Sequence, residues 1–436
     1  MFSLLNSTYQ INKTRIHRLF KEWSWIVAGQ VAAALGSLAL VRVLTEYLNP
    51  NQYGQLTLGL TTAALVNQTV MGGITAGIGR YYSIAAEKQD LKVYLQATRC
   101  LLAAATVAVG VIGLILILSM HWLDYSHWIG LASAALLFAV FSGYNGTINA
   151  IQNAARQRAI VALHGGIDAW LKILLAVGAV LWLGESSTVV IIGYVCSSLL
   201  MTISQLVFLR RTIPQQLTPI QNHQRWMQQI WCYSLPFTTW GTFTWMHQVS
   251  DRWALQTFAS TEDVAQYAVL FQLGFSPISL ITGLAMSFLG PILYQRSGDA
   301  TNNVRNANVH RLTWRMTHLS LIITLCGFAV TYAFHEWLFS LLVTTEYRGS
   351  SHLLPWVVLA GGIYAAGQLL ALKLMSEMRS SSMTTAKIVT ALIGLLLNVS
   401  GAALAGIQGV VGAMIVFSCI YLIWMMRLGI RTNQHS

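Results

Sequence analysis

Residues 36–59 read GSLALVRVLTEYLNPNQYGQLTLG, and this stretch decides the fold. An apolar run carries Arg42 near its end, the polar turn Asn49-Pro50-Asn51 follows, and a second apolar run starts after Tyr53. A chain inside hydrocarbon must satisfy its own backbone hydrogen bonds, so long apolar runs separated by short polar turns indicate spanning helices. The stretch therefore predicts a hairpin of two transmembrane helices.

The same alternation of apolar runs and short polar connections continues along all 436 residues. Hydrophobic residues make up 55% of the chain and charged residues 9%, against about 25% charged residues in a soluble domain. This composition excludes a disordered chain, a secreted disulfide scaffold and an ordinary cytosolic enzyme. We predict an all-α polytopic membrane protein with about twelve transmembrane helices, at 23–44, 54–78, 94–119, 127–150, 159–183, 187–209, 228–250, 264–290, 313–334, 353–376, 387–405 and 408–428.

The distribution of Lys and Arg predicts how these helices are oriented. Of the 26 basic residues, all but four fall in the two tails or in alternate connections. Connections rich in Lys and Arg stay in the cytoplasm, so both termini are predicted to be cytoplasmic. The net charge of +12 thereby reports topology, and no nucleic-acid partner is needed to explain it. The four exceptions are Arg42, Lys172, Arg252 and Arg348.

A stretch rich in Pro and Gln, residues 210–227, divides the chain nearly in half. Arg42 and Tyr53 in the first half have counterparts of similar placement in the second half, Arg252 and Tyr267. Paired six-helix repeats are a recurring design of transporters. We predict a cytoplasmic tail over 1–22, an N-terminal six-helix lobe over 23–209, a cytoplasmic linker over 210–227, a C-terminal six-helix lobe over 228–428 and a cytoplasmic tail over 429–436.

Motifs for nucleotide or metal chemistry are not found in the sequence. It contains no GxxxxGKS or GxxxxGKT stretch that would cradle phosphates, and no CxxC pair. We therefore expect no ATPase activity, no cofactor, no metal site and no catalytic residue.

The fifth predicted span carries His164, Asp168 and Lys172 at intervals of four, which places them on one face of one helix. Ionisable residues inside spans are costly and are functional candidates by default. One interpretation is a self-compensating Asp–Lys pair that only faces other helices. The other is a cavity-lining cluster in which Asp168, with His164 nearby, carries a coupling proton and Lys172 contacts substrate.

Amide side chains also lie within predicted spans. Asn145 and Asn149 share one face of the fourth span, and Asn67 and Gln68 lie near the middle of the second. Such amides either hydrogen-bond between helices or form the wall of a wet cavity that suits sugars. The sequence leaves both interpretations open.

The opening stretch, followed by GGITAGIGRYYS, resembles the start of polysaccharide-export flippases of the Wzx type. The stretch YSLPFTTWGTFTWMHQVSDRWALQTFASTEDVAQYAVLFQL resembles the LP, DR and YA pattern that opens the second lobe of this family. The family belongs to the multidrug/oligosaccharidyl-lipid/polysaccharide exporter superfamily. Where the family usually has charge after the first helix, this chain has Asn49-Pro50-Asn51. The family pattern carries over Arg42, Tyr53, Gly54, Arg80, Tyr81, Asp251, Arg252 and Tyr267.

The resemblance implies that the protein flips a polyprenyl-pyrophosphate-linked oligosaccharide across the inner membrane. A pyrophosphate needs cations, for which Arg42, Arg80, Lys172 and Arg252 are the candidates. Asn145, Asn149, Asn67 and Gln68 are then the candidates for sugar contacts. The expected partners are the lipid-linked substrate, the bilayer, a glycan polymerase and the chain-length machinery.

Three other functions remain open at this stage. A multidrug or other small-molecule antiporter would share the fold, although a single deep acid, Asp168, favours an anionic substrate over cationic drugs. A glycan polymerase would be the enzyme alternative, but it would need a large outer loop with catalytic Arg or His. The widest outer loop, 335–352, holds only His335, Arg348 and His352. A membrane scaffold would have no need for intramembrane charge.

Overall fold

The computed structural model describes residues 2–212, 223–297, 303–376 and 380–430, and over these ranges the long elements are all helices. The π-helical turn Asn67–Met71 joins α2 to α3, and the π-helical turn Phe271–Phe275 joins α9 to α10. The helices are α1 Phe2–Tyr47, α2 Pro50–Val66, α3 Gly72–Glu87, α4 Leu91–Trp122, α5 Ile129–Ala154, α6 Arg158–Leu183, α7 Ser187–Thr212, α8 Gln224–Phe258, α9 Thr261–Leu270, α10 Ser276–Ser297, α11 Asn303–Leu342, α12 Leu354–Ser376 and α13 Ser380–Ile430.

The element α13 contains two helices. Ala405 and Gly406 are non-helical, and Gly406 has a φ of +55°, in the left-handed region that favours glycine. Beside this reversal, Gly401 and Gly409 approach so closely that a Cβ on either would overlap the backbone of the other. The sequence Ser380–Ile430 is therefore a helical hairpin, as the two separate segments predicted there require.

With each π-joined pair counted once and α13 counted as two, the described residues form twelve long helices. By length and composition, they contain nine stretches apolar enough to cross a membrane, with α13 counted as one. The two further helices, α2–α3 and α8, carry polar residues such as Gln68 and His247 within their length. The prediction of an all-helical polytopic chain is confirmed.

The chain divides into two compact units. The first comprises Met1–Leu40 and Thr62–Gly241, and within it α5 packs against α3, α4 and α7 while α6 packs against α7. Tyr94 of α4 is buried, and its hydroxyl donates a 2.6 Å hydrogen bond to the carbonyl of Ile78 in α3. Polar as well as apolar contacts thus join the helices of this unit.

The second unit comprises Val41–Thr61 and Thr242–Ser436. Within it, α12 packs against α10, α11 and α13. Its core is apolar and includes Leu370, Leu374 and Tyr421.

The lobe and linker boundaries predicted from the sequence differ from this division at Val41–Thr61 and between 210 and 241, and they stay a prediction. Of the predicted linker, residues 213–222 lie outside the described residues, as does 431–436 of the predicted C-terminal tail.

The segment Val41–Thr61 is held in the second unit by hydrogen bonds and ring contacts. Thr344 donates its hydroxyl to the carbonyl of Thr45 at 2.8 Å, and Tyr347 donates to the carbonyl of Leu48 at 2.7 Å. The rings of Tyr53 and Tyr347 meet edge to face with centroids 5.7 Å apart. Tyr347 therefore fixes the turn between α1 and α2.

The start of α2 and its middle are fixed in the same unit. A Cβ on Gly54 would overlap the carbonyl oxygen of Thr261 at the start of α9. The indole nitrogens of Trp245 and Trp253 donate to the carbonyl and the hydroxyl of Thr61, at 2.7 and 3.0 Å. The Tyr-Gly pair of the opening stretch thus serves close packing.

We expect Gly54→Ala to destabilise the protein, because the added methyl meets the backbone of Thr261 and overpacking costs about 1–3 kcal/mol. Gly412→Ala is the matched control, since a Cβ added there would meet no atom within 4 Å and Ala favours a helix by up to about 1 kcal/mol. Thermal unfolding in detergent should show a lower midpoint for Gly54→Ala alone. An unchanged midpoint for Gly54→Ala would contradict the close contact.

Candidate functional site

Asp168 and Lys172 form an ion pair on α6. The Nζ atom of Lys172 lies 2.6 Å from Oδ2 of Asp168, and each side chain is 24% exposed. The hydroxyl of Ser197 in α7 donates to Oδ1 of Asp168 at 3.1 Å, and the ammonium lies 5.6 Å from the ring centroid of Phe138. The pair is therefore compensated within its own unit, and part of each side chain remains exposed.

His164 lies one turn before Asp168 and is buried. Its Nδ1 atom is 2.8 Å from the carbonyl of Ile160, which can only accept, so Nδ1 carries a proton. Its Nε2 atom is 3.1 Å from the hydroxyl of Ser204, and its ring meets that of Phe208 edge to face. Both ring nitrogens have partners, which favours a packed polar residue; a coupling role for His164 stays a prediction.

Asn145 and Asn149 make hydrogen bonds from α5 to α7. Asn145 donates from Nδ2 to the carbonyl of Ser198 at 3.0 Å and accepts on Oδ1 from Thr202 at 2.8 Å. Asn149 accepts on Oδ1 from the amide of Gln205 at 3.1 Å. These bonds favour the interpretation as links between helices, and sugar contacts by either residue stay a prediction.

Asn67 and Gln68 lie in the π-helical turn between α2 and α3. The Nδ2 atom of Asn67 donates to the hydroxyl of Ser142 in α5 at 2.8 Å, while its Oδ1 atom is buried without a hydrogen-bond partner among the described residues. The carbonyl of Gln68 lies against Gly241, where a Cβ would overlap it. Single π-helical turns inside helices occur frequently at functional sites, so both residues stay candidates for substrate contact.

Arg252 lies near the end of α8 in the second unit, and its side chain is 13% exposed. Its Nη1 atom lies 3.8 Å from the Asp251 carboxylate and donates to the carbonyl of Gln248 at 3.2 Å. The guanidinium carbon lies 4.8 Å from the ring centroid of Phe271, a stacking distance for a cation on an aromatic face. The hydroxyl of Tyr267 donates to the same carboxylate at 2.6 Å. We call Asp251, Arg252, Tyr267 and Phe271 the arginine clamp.

Arg42 and Arg80 differ from the other two predicted cations. Arg42 is half-buried near the end of α1, and Arg80 is exposed in the middle of α3. Neither side chain makes a hydrogen bond or an ion pair with the residues that the structure describes, and Glu46, one turn after Arg42, is not its partner. These two guanidinium groups are free to bind an anion.

Sequence reasoning missed the residues that complete these contacts. Ser197 and Phe138 contact the Asp168–Lys172 pair, and Phe271 stacks on Arg252. Only Phe271 has a sequence signal, since it follows Tyr267 by four residues and so shares its helix face. Across the described ranges no three His, Cys, Asp or Glu side chains gather where they could hold a metal ion.

The fold is similar to those of several solved transporters. The lipid II flippase MurJ in an inward closed conformation matches with a TM-score of 0.68 and 12% identity over 93% of this chain and 87% of that chain. An inward-facing multidrug resistance MATE family transporter of the MOP superfamily matches with a TM-score of 0.65 and 13% identity, over 93% of this chain and 96% of that chain. A mutant of the Vibrio cholerae MATE transporter VcmN matches with a TM-score of 0.62 and 16% identity, over 96% of this chain and 97% of that chain. The chain therefore has the fold of the MOP superfamily.

Among curated proteins, none matches this sequence. The sequence profile of the family described as "Polysaccharide biosynthesis protein" matches residues 19–297, which is more than half of the chain. The chain belongs to this family. The resemblance to polysaccharide-export flippases within a larger exporter superfamily is confirmed.

Tyr267→Phe should destabilise the protein, because it removes a donor from the buried Asp251 carboxylate, and an unmet buried polar group costs about 1–3 kcal/mol. Tyr421→Phe is the matched control, since the Tyr421 hydroxyl is buried without a hydrogen-bond partner among the described residues. Thermal unfolding should therefore separate the two variants. Equal midpoints would remove Tyr267 from the arginine clamp.

Proposed function

We propose that this protein flips a polyprenyl-pyrophosphate-linked oligosaccharide from the inner to the outer leaflet of the inner (plasma) membrane, by alternating access, for biosynthesis of cell-surface polysaccharide such as lipopolysaccharide or exopolysaccharide. Membership of the polysaccharide biosynthesis family carries this proposal. The MOP fold supports it, since one structure with that fold is a lipid II flippase.

We assign pyrophosphate binding to those predicted cations whose side chains have no partner among the described residues. Arg42 and Arg80 have no side-chain partner among the described residues, whereas Lys172 and Arg252 are engaged by carboxylates. A guanidinium binds phosphate oxygens in a two-pronged geometry, and a free one need not break an existing bond first. We therefore assign Arg42 and Arg80 to phosphate binding, and Lys172 and Arg252 to positioning the helices that carry them.

A multidrug antiporter is the alternative that the MATE structures raise. Cationic drugs need uncompensated negative charge in the spans. In this chain, Asp168 is paired with Lys172, and Asp251 accepts from Tyr267 and lies beside Arg252. The charge balance of both sites supports an anionic substrate.

A glycan polymerase is the enzyme alternative, and two of the three His and Arg residues of the widest predicted outer loop are engaged in local structure. His335 pairs through Nδ1 with the Ser351 hydroxyl at 3.2 Å, and Arg348 donates to the carbonyls of Ser340 and Val343 at 3.3 and 3.5 Å. These contacts shape the turn after α11. The use of these residues in local structure favours a transporter over an enzyme, and we assign polymerisation and chain-length control to separate partner proteins.

The proposal predicts that Arg42→Gln and Arg80→Gln each lower flipping of a fluorescent polyprenyl-pyrophosphate oligosaccharide in proteoliposomes about tenfold or more, the expected loss for one charged hydrogen bond. Arg99→Gln is the matched control, because Arg99 is exposed on α4 and makes no contact that the structure describes. Thermal midpoints should match wild type. Normal flipping by both variants would contradict the assignment.

Asp168 is the candidate for energy coupling because it lies ten residues after Arg158, the first residue of α6, which is about 15 Å along the helix axis. If it binds the coupling proton, Asp168→Asn should leave the protein folded but make flipping insensitive to an imposed pH gradient. Restored transport and pH response in the double variant Asp168→Asn with Lys172→Gln would show a structural pair instead.

A further inference from the structure

Four arginines surround a cavity of about 650 Å³ in the second unit. It lies where α10 ends and α11 begins, which the distribution of basic residues places on the cytoplasmic side. We call it the arginine pocket. Its lining residues are Arg296, Arg305, Asn308, Arg311, Leu312 and Arg315.

One of the four arginines makes a hydrogen bond between the two helices, and the side chains of the other three are exposed. Arg305 donates from Nε to the carbonyl of Arg296 at 3.0 Å, which joins the start of α11 to the end of α10. The side chains of Arg296, Arg311 and Arg315 are exposed and make no hydrogen bond or ion pair with the part of the chain that the structure describes. Three guanidinium groups therefore face one cavity without a counter-charge from these residues.

None of the acidic residues that the structure describes in this unit lines the pocket. Glu336, for example, follows Arg315 by 21 residues on α11, which is about 32 Å along the helix. Asp299 and Glu377 lie outside the described residues, and their two charges leave the four arginines with an excess of two. The pocket is thus a site of strong positive potential. The described acids of this unit are Glu46, Asp251, Glu262, Asp263, Glu336 and Glu346.

Both helices continue from the arginines into exposed apolar faces. On α10, Phe288 and Ile292 precede Arg296 at intervals of four and are 38% and 41% exposed. On α11, Leu319 and Ile322 follow Arg315 on the same face and are 50% and 58% exposed. Basic side chains at a helix end beside exposed apolar ones are typical of the boundary between headgroups and acyl chains.

We propose that the arginine pocket binds the phosphate groups of an anionic phospholipid of the cytoplasmic leaflet, with its acyl chains along the apolar faces of α10 and α11. Guanidinium forks match phosphate oxygens, and basic pockets between spanning helices on this side suit multiply charged headgroups. The volume lies within the roughly 300–1,000 Å³ of ligand pockets. A soluble phosphate would use the arginines but leave the apolar faces unused, so the lipid accounts for more of the site.

The experiment is a native mass-spectrometry titration of the full-length protein in detergent with cardiolipin, phosphatidylglycerol or phosphatidylcholine. Wild type should bind the dianionic cardiolipin about tenfold or more tightly than phosphatidylcholine, as one further charged hydrogen bond would provide. Arg311→Gln with Arg315→Gln should lose this preference. Arg311→Lys with Arg315→Lys should keep part of it, because the charge remains and the fork is lost.

Arg210→Gln with Arg211→Gln is the matched control, since it removes two exposed basic residues from the end of α7. Equal loss in this control, or no headgroup preference in wild type, overturns the proposal. Full displacement of cardiolipin by inorganic pyrophosphate makes the occupant a soluble phosphate and also overturns it. Tighter binding of polyprenyl pyrophosphate than of cardiolipin at the same arginines would assign the pocket to the transported lipid and overturn it too. Because lipid binding is measured without transport, the result does not depend on whether the protein flips the proposed substrate.

Discussion

A polar side chain inside hydrocarbon has no water to bond, so the protein itself must supply its partner, from the same helix or from a neighbouring one. The Asp168 carboxylate accepts hydrogen bonds from Lys172 of its own helix and from Ser197 of α7. Asn145 donates a hydrogen bond to the carbonyl of Ser198, also in α7. These polar residues therefore hold helices in place, and the polar residues without a partner among the described residues remain the candidates for cargo contact.

The helices could be predicted from the sequence because apolar length alone determines them. The helix faces could be predicted too, since intervals of four residues place Asp168 and Lys172 side by side, and the structure pairs them at 2.6 Å. The partners on other helices could not be predicted, because a sequence contains no information on how one helix is rotated against the next. Ser197 of α7, which donates to Asp168, is the clearest example.

The segment Val41–Thr61 shows a second limit. Its position in the chain and a weak repeat predict that its motif belongs to the first lobe. The contacts that the structure describes for it include Tyr347, Trp253 and Thr261, the first of them nearly 300 residues away in the sequence. Contacts at such separations are invisible to periodicity. The signal present in the sequence, a Tyr-Gly pair after a turn, indicates close packing but not its partner.

The Asp168–Lys172 pair has an electrical consequence. With the carboxylate ionised the pair is neutral, so a membrane voltage does no work on it when its unit moves. A proton bound to Asp168 would leave the Lys172 ammonium uncompensated, and the same movement would then carry one positive charge through part of the field. A full crossing is worth about 2.3 kcal/mol per 100 mV. Proton loading at this helix would thereby make the movement sensitive to membrane potential as well as to proton concentration.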